Sequence, residues 1–256
     1  MIGAIAGDMI GSLFERYPTK TKNFDILVSA FTDDTVLTVA VAHSILNDGD
    51  YAESIKSFAQ KYHSLPYGRA FRKWIWAWEN KPYNSFGNGS AMRVSPVGFA
   101  YDTVDEVLLE AKRSAEVSHN HPEGIKGAQA TALAILMVRQ GADKAIIRSE
   151  IKDRFDYDLD RTVDGIRPGY RFDVSCQGSV PESIIAFLDS TSYEDTIKNA
   201  ISLGGDSDTM ACIAGGIAQA YYKDVPEYIA NRVLEKLPKD LREVTVQFNG
   251  KFKCEF

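Results

Sequence analysis

The sequence contains few cysteines, and none of them has the spacing of a redox or metal-binding motif. Cys176, Cys212 and Cys254 are an odd set of three without a CxxC pair. Small secreted scaffolds use even, dense cysteine sets, and structural zinc sites use paired ones. We therefore expect reduced thiols that act as small apolar core residues, in a cytoplasmic protein.

Long apolar runs and an excess of basic residues are also absent. No segment approaches the roughly 20 apolar residues that span a bilayer. The apolar N-terminal segment carries Asp8 and lacks the basic start of a signal peptide. A net charge of -6 argues against a nucleic-acid groove and against an anionic membrane surface. These features predict a soluble protein; a monomer is favoured, although the sequence does not fix the oligomeric state.

Strand patterns are scarce, because apolar residues mostly recur at the helical period. This favours an all-α fold, taken as a single compact domain over residues 1–256. The predicted helices are 2–15, 35–47, 51–63, 69–79, 104–116, 124–140, 181–189, 193–202, 208–222 and 225–236. Short strand signals occur only at 172–175 and 244–248. Trp74 and Trp78 are expected in the core, and one or both of the long loops 17–31 and 156–180 are expected to border the functional site.

Glycines recur every four residues in the first predicted helix. Gly3, Gly7 and Gly11 share one helix face, where missing side chains allow another helix to approach closely. The segment 208–222 is also rich in small residues, which predicts close helix contacts there.

Two short acidic clusters each precede an apolar helix. They are Thr32-Asp33-Asp34-Thr35 and Asp206-Ser207-Asp208-Thr209. Helix capping explains one acid per helix but not the second, since desolvated neighbouring carboxylates repel each other. If both clusters converge with Glu15, they form an oxygen-only site suited to Mg²⁺, Mn²⁺ or Ca²⁺. Capping and metal binding fit the spacing equally well.

A glycine-rich loop and a histidine pair are further candidates for ligand contacts. In the segment 85–93, Gly87 and Gly89 permit close backbone approach to a phosphate, although an ordinary turn explains them as well. Arg93 could reach a phosphate, but a structural ion pair is the commoner role. His119 and His121 lack further zinc ligands, so a hydrogen-bonding role is favoured.

Six segments together resemble the ADP-ribosylglycohydrolase family. In chain order they are GAIAGDMIGSLFE, FTDDTVLTVAVAHSIL, FGNGSAMRVSPVG, SHNHPEGIKGAQA, CQGSVPESIIAFL and SLGGDSDTMACIAGGIAQAYY. The resemblance covers residues from near 1 to about 226, and nothing is carried over to the tail after Leu237. It implies an all-α domain with two Mg²⁺ or Mn²⁺ ions in a cleft, and release of ADP-ribose from a protein side chain or a small conjugate.

The resemblance also implies roles for individual residues. The metal ligands would be Thr32, Asp33, Asp34, Asp206, Asp208 and Thr209. Glu15 would lie at the metals, and Asp34 or Glu15 would deprotonate the water or protonate the leaving group, with the division of these roles left open. The ADP-ribose contacts would be Ser85, Phe86, Gly87, Asn88, Gly89, His119 and, by a looser match, Tyr170. Three alternatives remain open: a non-catalytic ADP-ribose-binding module, a structural protein of this fold, and a hydrolase that cleaves the diphosphate.

Overall fold

The computed structural model describes residues 1–254, and within them the chain is all-α, as predicted. The helices are α1 (Ile2–Arg16), α2 (Asp33–Leu46), α3 (Tyr51–Lys61), α4 (Arg69–Trp74), α5 (Gly89–Met92), α6 (Ser95–Ala100), α7 (Val104–Glu116), α8 (Pro122–Arg139), α9 (Lys144–Phe155), α10 (Val163–Ile166), α11 (Cys176–Leu188), α12 (Tyr193–Ser202), α13 (Ser207–Tyr222), α14 (Glu227–Lys236) and α15 (Lys239–Lys251). Over this range the β-type pairing consists of one isolated antiparallel bridge, Gly87–Ser175.

Helices α1 and α13 form the most extensive helix pair of the fold. A Cβ atom on Gly7 would lie 2.1 Å from the carbonyl oxygen of Ala211, and one on Gly11 would lie 2.4 Å from that of Ser207. Glycine at these positions therefore lets the two backbones touch. The contact confirms the expected glycine face and brings the end of α1 beside the start of α13.

Helix α2 is buried around most of its circumference, as its apolar sequence predicts. It packs on α3, α6 and α15, whereas α8 packs on α6, α7 and α13. The three cysteines are buried and unpaired. In the part of the chain that the structure describes, no helix is both long and apolar enough to cross a membrane.

Several boundaries differ from the sequence prediction. The strand predicted at 244–248 is wrong: these residues lie in α15, where Leu241, Thr245 and Phe248 are buried at helical spacing. The helix predicted over 69–79 ends at Trp74, so Trp78 is fully exposed and not in the core.

The predicted loop 156–180 contains two helices. Helix α11 begins at Cys176, not at 181, because Ser175 caps it and Pro181 is accommodated inside it. Residues 172–175 do not form a strand, apart from the single bridge at Ser175. Four short or polar helices, α5, α6, α9 and α10, were also not predicted.

Candidate functional site

The two acidic clusters and Glu15 converge at one end of the α1–α13 pair. Thr32 is the N-cap of α2, and Asp206 occupies the N-cap position of α13. Carboxylate oxygens of Glu15, Asp206 and Asp208 all lie within 4.8 Å of one another. The sequence left open whether these segments meet, and the structure shows that they do.

Asp8 organises the first cluster and was missed as a functional residue. It is fully buried in α1 and accepts hydrogen bonds from the backbone N–H of Thr32 (3.0 Å) and of Thr35 (3.1 Å). Both threonine hydroxyls also donate to it, that of Thr32 at 2.8 Å. Asp8 is the one charged residue of an otherwise apolar, glycine-lined segment, a signal that could have identified it.

Burial and mutual repulsion raise the pKa values of the clustered acids. For Asp34 and Asp208 burial is the main cause, followed by the neighbouring charges of Asp208 and Asp206 respectively. Burial also raises the pKa of Asp33 to about 7, and burial with the charge of Asp206 raises the pKa of Glu15.

These acids form a cluster of like charges. Within residues 1–254, no lysine, arginine or histidine forms an ion pair with Asp8, Glu15 or the two clusters. The Oδ2 atom of Asp34 is sealed from solvent without a hydrogen-bond donor. Uncompensated buried carboxylates are costly unless a cation pairs with them. The donor set therefore fits a divalent cation that prefers oxygen ligands.

We expect Asp33→Asn to stabilise the cation-free protein increasingly as the pH rises. The folded-state pKa of Asp33, about 7, lies above its ordinary value of 3.8. Asp33 therefore makes its full contribution to the free energy of unfolding below about pH 4, where it is protonated. This contribution is lost as the pH rises through 7. Melting temperatures of the variant and the wild type in EDTA should diverge between pH 5 and pH 8, and Mg²⁺ should remove the difference.

The matched control is Asp160→Asn. Asp160 is exposed, and its hydrogen bond with Lys152 lowers its pKa. Its replacement should give no gain at high pH. A melting-temperature difference for Asp33→Asn that stays constant across this pH range would contradict the assignment.

A cleft of about 350 Å³ opens above the acids. Eleven of the predicted site residues line it: Glu15, Asp33, Asp34, Ser85, Gly87, Asn88, Gly89, His119, Asp206, Asp208 and Thr209. Phe172 and Val174 also line it, which confirms that the loop region 156–180 borders the site. No residue of 17–31 lies among the described lining residues, so one of the two long loops borders the cleft.

Hydrogen bonds join the glycine loop both to the acidic cluster and to the segment that leads into α11. The Asn88 side-chain amide donates to Asp206 Oδ2 (2.7 Å) and to Ser179 Oγ (3.2 Å). The Asn88 backbone N–H donates to the Val174 carbonyl (2.8 Å), beside the Gly87–Ser175 bridge. The loop is thus held at a fixed position relative to the acidic cluster.

Three predicted site residues lie outside the cleft lining. Thr32 uses its hydroxyl inside the fold, donating to Asp8 and accepting from the Asp34 backbone N–H. Phe86 is half-exposed, with its ring edge toward His121. Tyr170 donates its hydroxyl to the Gly178 carbonyl at 2.7 Å.

The histidine pair divides into two roles. His121 caps α8, its Nδ1 accepting from the Glu123 backbone N–H at 3.1 Å. His119 is buried at the cleft wall, and burial together with the charge of Arg93 lowers its pKa well below the ordinary value. Both effects favour the neutral form of the His119 ring.

The favoured ion-pair role of Arg93 is wrong. The residue is completely buried and forms no ion pair within residues 1–254. Its Nη2 donates to the Ser114 carbonyl (2.8 Å) and to Ser118 Oγ (3.0 Å), whereas Nε and Nη1 have no partner in the same range. A buried arginine without a carboxylate is costly, which indicates a role beyond packing.

Comparisons with known proteins agree on one family. The sequence profile described as ADP-ribosylglycohydrolase matches residues 1–253. The ADP-ribosylhydrolase ARH3 of Mus musculus is 28% identical over 89% of this chain and 84% of its own. The ADP-ribosylarginine hydrolase Tri1 of Pseudomonas putida is 23% identical over 87% of this chain and 69% of its own.

A solved structure has the same fold. A chain of an "ADP-ribosylglycohydrolase-related protein complex" superposes with a TM-score of 0.75 at 22% identity, covering 100% of this chain and 97% of the other.

Proposed function

The chain belongs to the ADP-ribosylglycohydrolase family, and we propose that it is a metal-dependent hydrolase that releases ADP-ribose from a modified side chain or small conjugate. The observation that carries this proposal is the meeting of Glu15, Asp206 and Asp208 under a cleft that the glycine loop also lines. Family membership supports an ADP-ribosyl hydrolase. The metal requirement and the linkage are the parts that we propose.

The acidic floor of the cleft would hold two Mg²⁺ or Mn²⁺ ions. The carboxylates of Asp33, Asp34, Asp206 and Asp208 and the hydroxyl of Thr209 reach the cleft, and Thr32 adds an oxygen behind it. When bound, such cations supply Lewis-acid stabilisation to ribose oxygens and relieve the repulsion between the acids. Asp8 orients the Thr32–Thr35 segment through its four hydrogen bonds.

The loop and the histidine would bind the nucleotide part of the substrate. We place the diphosphate and the distal ribose along Ser85, Gly87, Asn88, Gly89 and His119, which form one wall of the cleft. A Cβ atom at position 89 would lie 3.0 Å from His119 Nε2, so glycine there lets the loop pass close to the histidine ring.

The adenine would lie toward the region before α11. Phe172 lines the cleft and is half-exposed, so its ring is free to contact a base. Tyr170 would support this region from outside the cleft lining, because its ring packs against Gly205 just before α13. Phe86, exposed on the outer side of the loop, would border the entrance.

The bond to be broken joins the anomeric carbon of the distal ribose to a nitrogen or oxygen of the carrier. A water oxygen forms the new bond to that carbon, a water proton passes to a carboxylate, and the carrier atom takes up a proton. Positive charge develops on the sugar ring, and the carboxylates stabilise it. Asp34 and Glu15 suit the proton transfers because both side chains line the cleft beside the other acids.

Product identity tests the proposal. Purified protein would be incubated with ADP-ribosyl-serine and ADP-ribosyl-arginine peptides in Mg²⁺, Mn²⁺ or EDTA, with products measured by mass spectrometry. We expect free ADP-ribose and unmodified peptide only when metal is present. AMP would instead show cleavage of the diphosphate. ADP-ribose binding without turnover on either peptide or on a small ADP-ribose ester would support the non-catalytic module.

A further inference from the structure

Arg93, Ser118 and His119 form a buried hydrogen-bond chain beside the cleft, which Arg93 and His119 both line. Arg93 Nη2 donates to Ser118 Oγ at 3.0 Å, and Ser118 Oγ lies 2.8 Å from His119 Nδ1. Arg93 and Ser118 are completely buried, and His119 is nearly so. Neither Arg93 nor Ser118 has a role in the function proposed above.

The chemistry of these groups fixes the direction of each hydrogen bond. A guanidinium can only donate, so Ser118 Oγ is an acceptor toward Arg93. The serine hydroxyl has one hydrogen, and in residues 1–254 the remaining acceptor beside it is His119 Nδ1. If Nδ1 carried the proton instead, the serine O–H would be buried without a partner, which costs about 1–3 kcal/mol.

The other ring nitrogen of His119 faces the glycine loop. Nε2 would lie 3.0 Å from a Cβ atom on Gly89 and 3.7 Å from one on Gly87, and His119 lines the cleft. Across the described chain, Nε2 has no protein hydrogen-bond partner, and the atom is accessible to solvent. It therefore remains available to a ligand in the cleft.

We propose that Arg93 and Ser118 are positioning residues that hold neutral His119 as its Nε2–H tautomer, so that the ring donates a hydrogen bond to an acceptor oxygen of the bound nucleotide. The role toward ADP-ribose rests on the proposed function, whereas the tautomer can be measured without ligand. The chain Arg93–Ser118–His119, called the relay below, also explains why the arginine is buried. Because Arg93 donates to Ser118 Oγ, the serine hydroxyl donates its own hydrogen to His119 Nδ1.

Nitrogen NMR of histidine-labelled protein tests the tautomer directly. The chain has four histidines, and the spectrum of a His119→Gln variant identifies the signals of His119. In the ligand-free wild type we expect a protonated Nε2 and an unprotonated Nδ1. Ser118→Ala should mix the tautomers, and Ser118→Thr, which keeps the hydroxyl, should restore the wild-type pattern. A protonated Nδ1 in the wild type, or an unchanged tautomer in Ser118→Ala, would overturn the relay.

Binding of ADP-ribose gives the functional readout. Ser118→Ala should weaken binding about 5-fold, the effect of one neutral hydrogen bond, and Ser118→Thr should recover most of it. The matched control is Ser54→Ala, which removes a serine hydroxyl 3.4 Å from His43 Nδ1, and it should leave binding unchanged. A wild-type chain with the Nε2–H tautomer but no affinity for ADP-ribose would overturn the proposed function alone. An equal loss in Ser118→Ala and Ser118→Thr would overturn the link between relay and ligand.

Discussion

Replacing Asp208 with alanine should lower metal-dependent release of ADP-ribose by more than about 100-fold. Removing a residue that merely orients a metal ligand costs about 10–100-fold, and Asp208 is placed as a ligand itself. Its carboxylate lies within 4.8 Å of those of Glu15 and Asp206, so its loss would remove one of the oxygens that surround the proposed cation. The measurement is the rate of ADP-ribose release at saturating Mg²⁺ or Mn²⁺.

Asp208→Asn, which keeps the size of the side chain but removes its charge, should not destabilise the cation-free fold. Burial and the charge of Asp206 raise the pKa of Asp208, so the ionised side chain opposes folding above its usual titration range. At pH 8 in EDTA, Asp208→Asn should melt at or above the wild-type temperature.

The control for the activity measurement is Asp160→Ala. Asp160 forms an exposed ion pair with Lys152, and its replacement should leave activity unchanged. Wild-type turnover in the Asp208→Ala variant would show that this residue is not a ligand.

Replacing Gly7 with alanine should destabilise the protein by about 3 kcal/mol or more. Overpacking a tight core typically costs about 1–3 kcal/mol, and here the added methyl group meets rigid backbone at 2.1 Å. The α1–α13 pair would have to separate, and for a chain of this size the melting temperature should fall by roughly 6–12 °C. Activity should fall as well, because Asp8 and Glu15 are carried on α1.

Gly250→Ala is the matched control for this experiment. Gly250 lies in α15, and a Cβ atom there would meet nothing within 4 Å. Because alanine favours a helix over glycine, this variant should be stabilised by about 0.5–1 kcal/mol. If Gly7→Ala were as stable as Gly250→Ala, the close contact of α1 with α13 would not exist as described.

Apolar spacing in the sequence was enough to predict the all-α fold, whereas the roles of the site residues come from the family resemblance and stay predictions. The four-residue spacing of Gly3, Gly7 and Gly11 is visible in the sequence, and it predicts a close contact with another helix. The spacing does not show which helix packs against the glycine face. Convergence of Glu15 with Asp206 depends on that partner being α13, a contact between segments almost 200 residues apart.

The failures have identifiable physical reasons. Residues 244–248 alternate like a strand, but tertiary packing of Leu241 and Phe248 selects a helix. Trp78 has the spacing of a core residue but lies beyond the end of α4, where the helical period no longer applies. Hydrogen-bond chains such as Arg93–Ser118–His119 join distant segments and leave no periodic signal.

A metal titration combined with an activity assay tests the central claim, that the buried carboxylates hold cations required for turnover. Metal-free protein would be titrated with Mn²⁺ or Mg²⁺ in a calorimeter, and ADP-ribose release would be measured at each metal concentration. The account predicts two ions per chain, with activity rising as they bind, and loss of both signals in Asp208→Ala. Full activity in EDTA with no metal bound would contradict it.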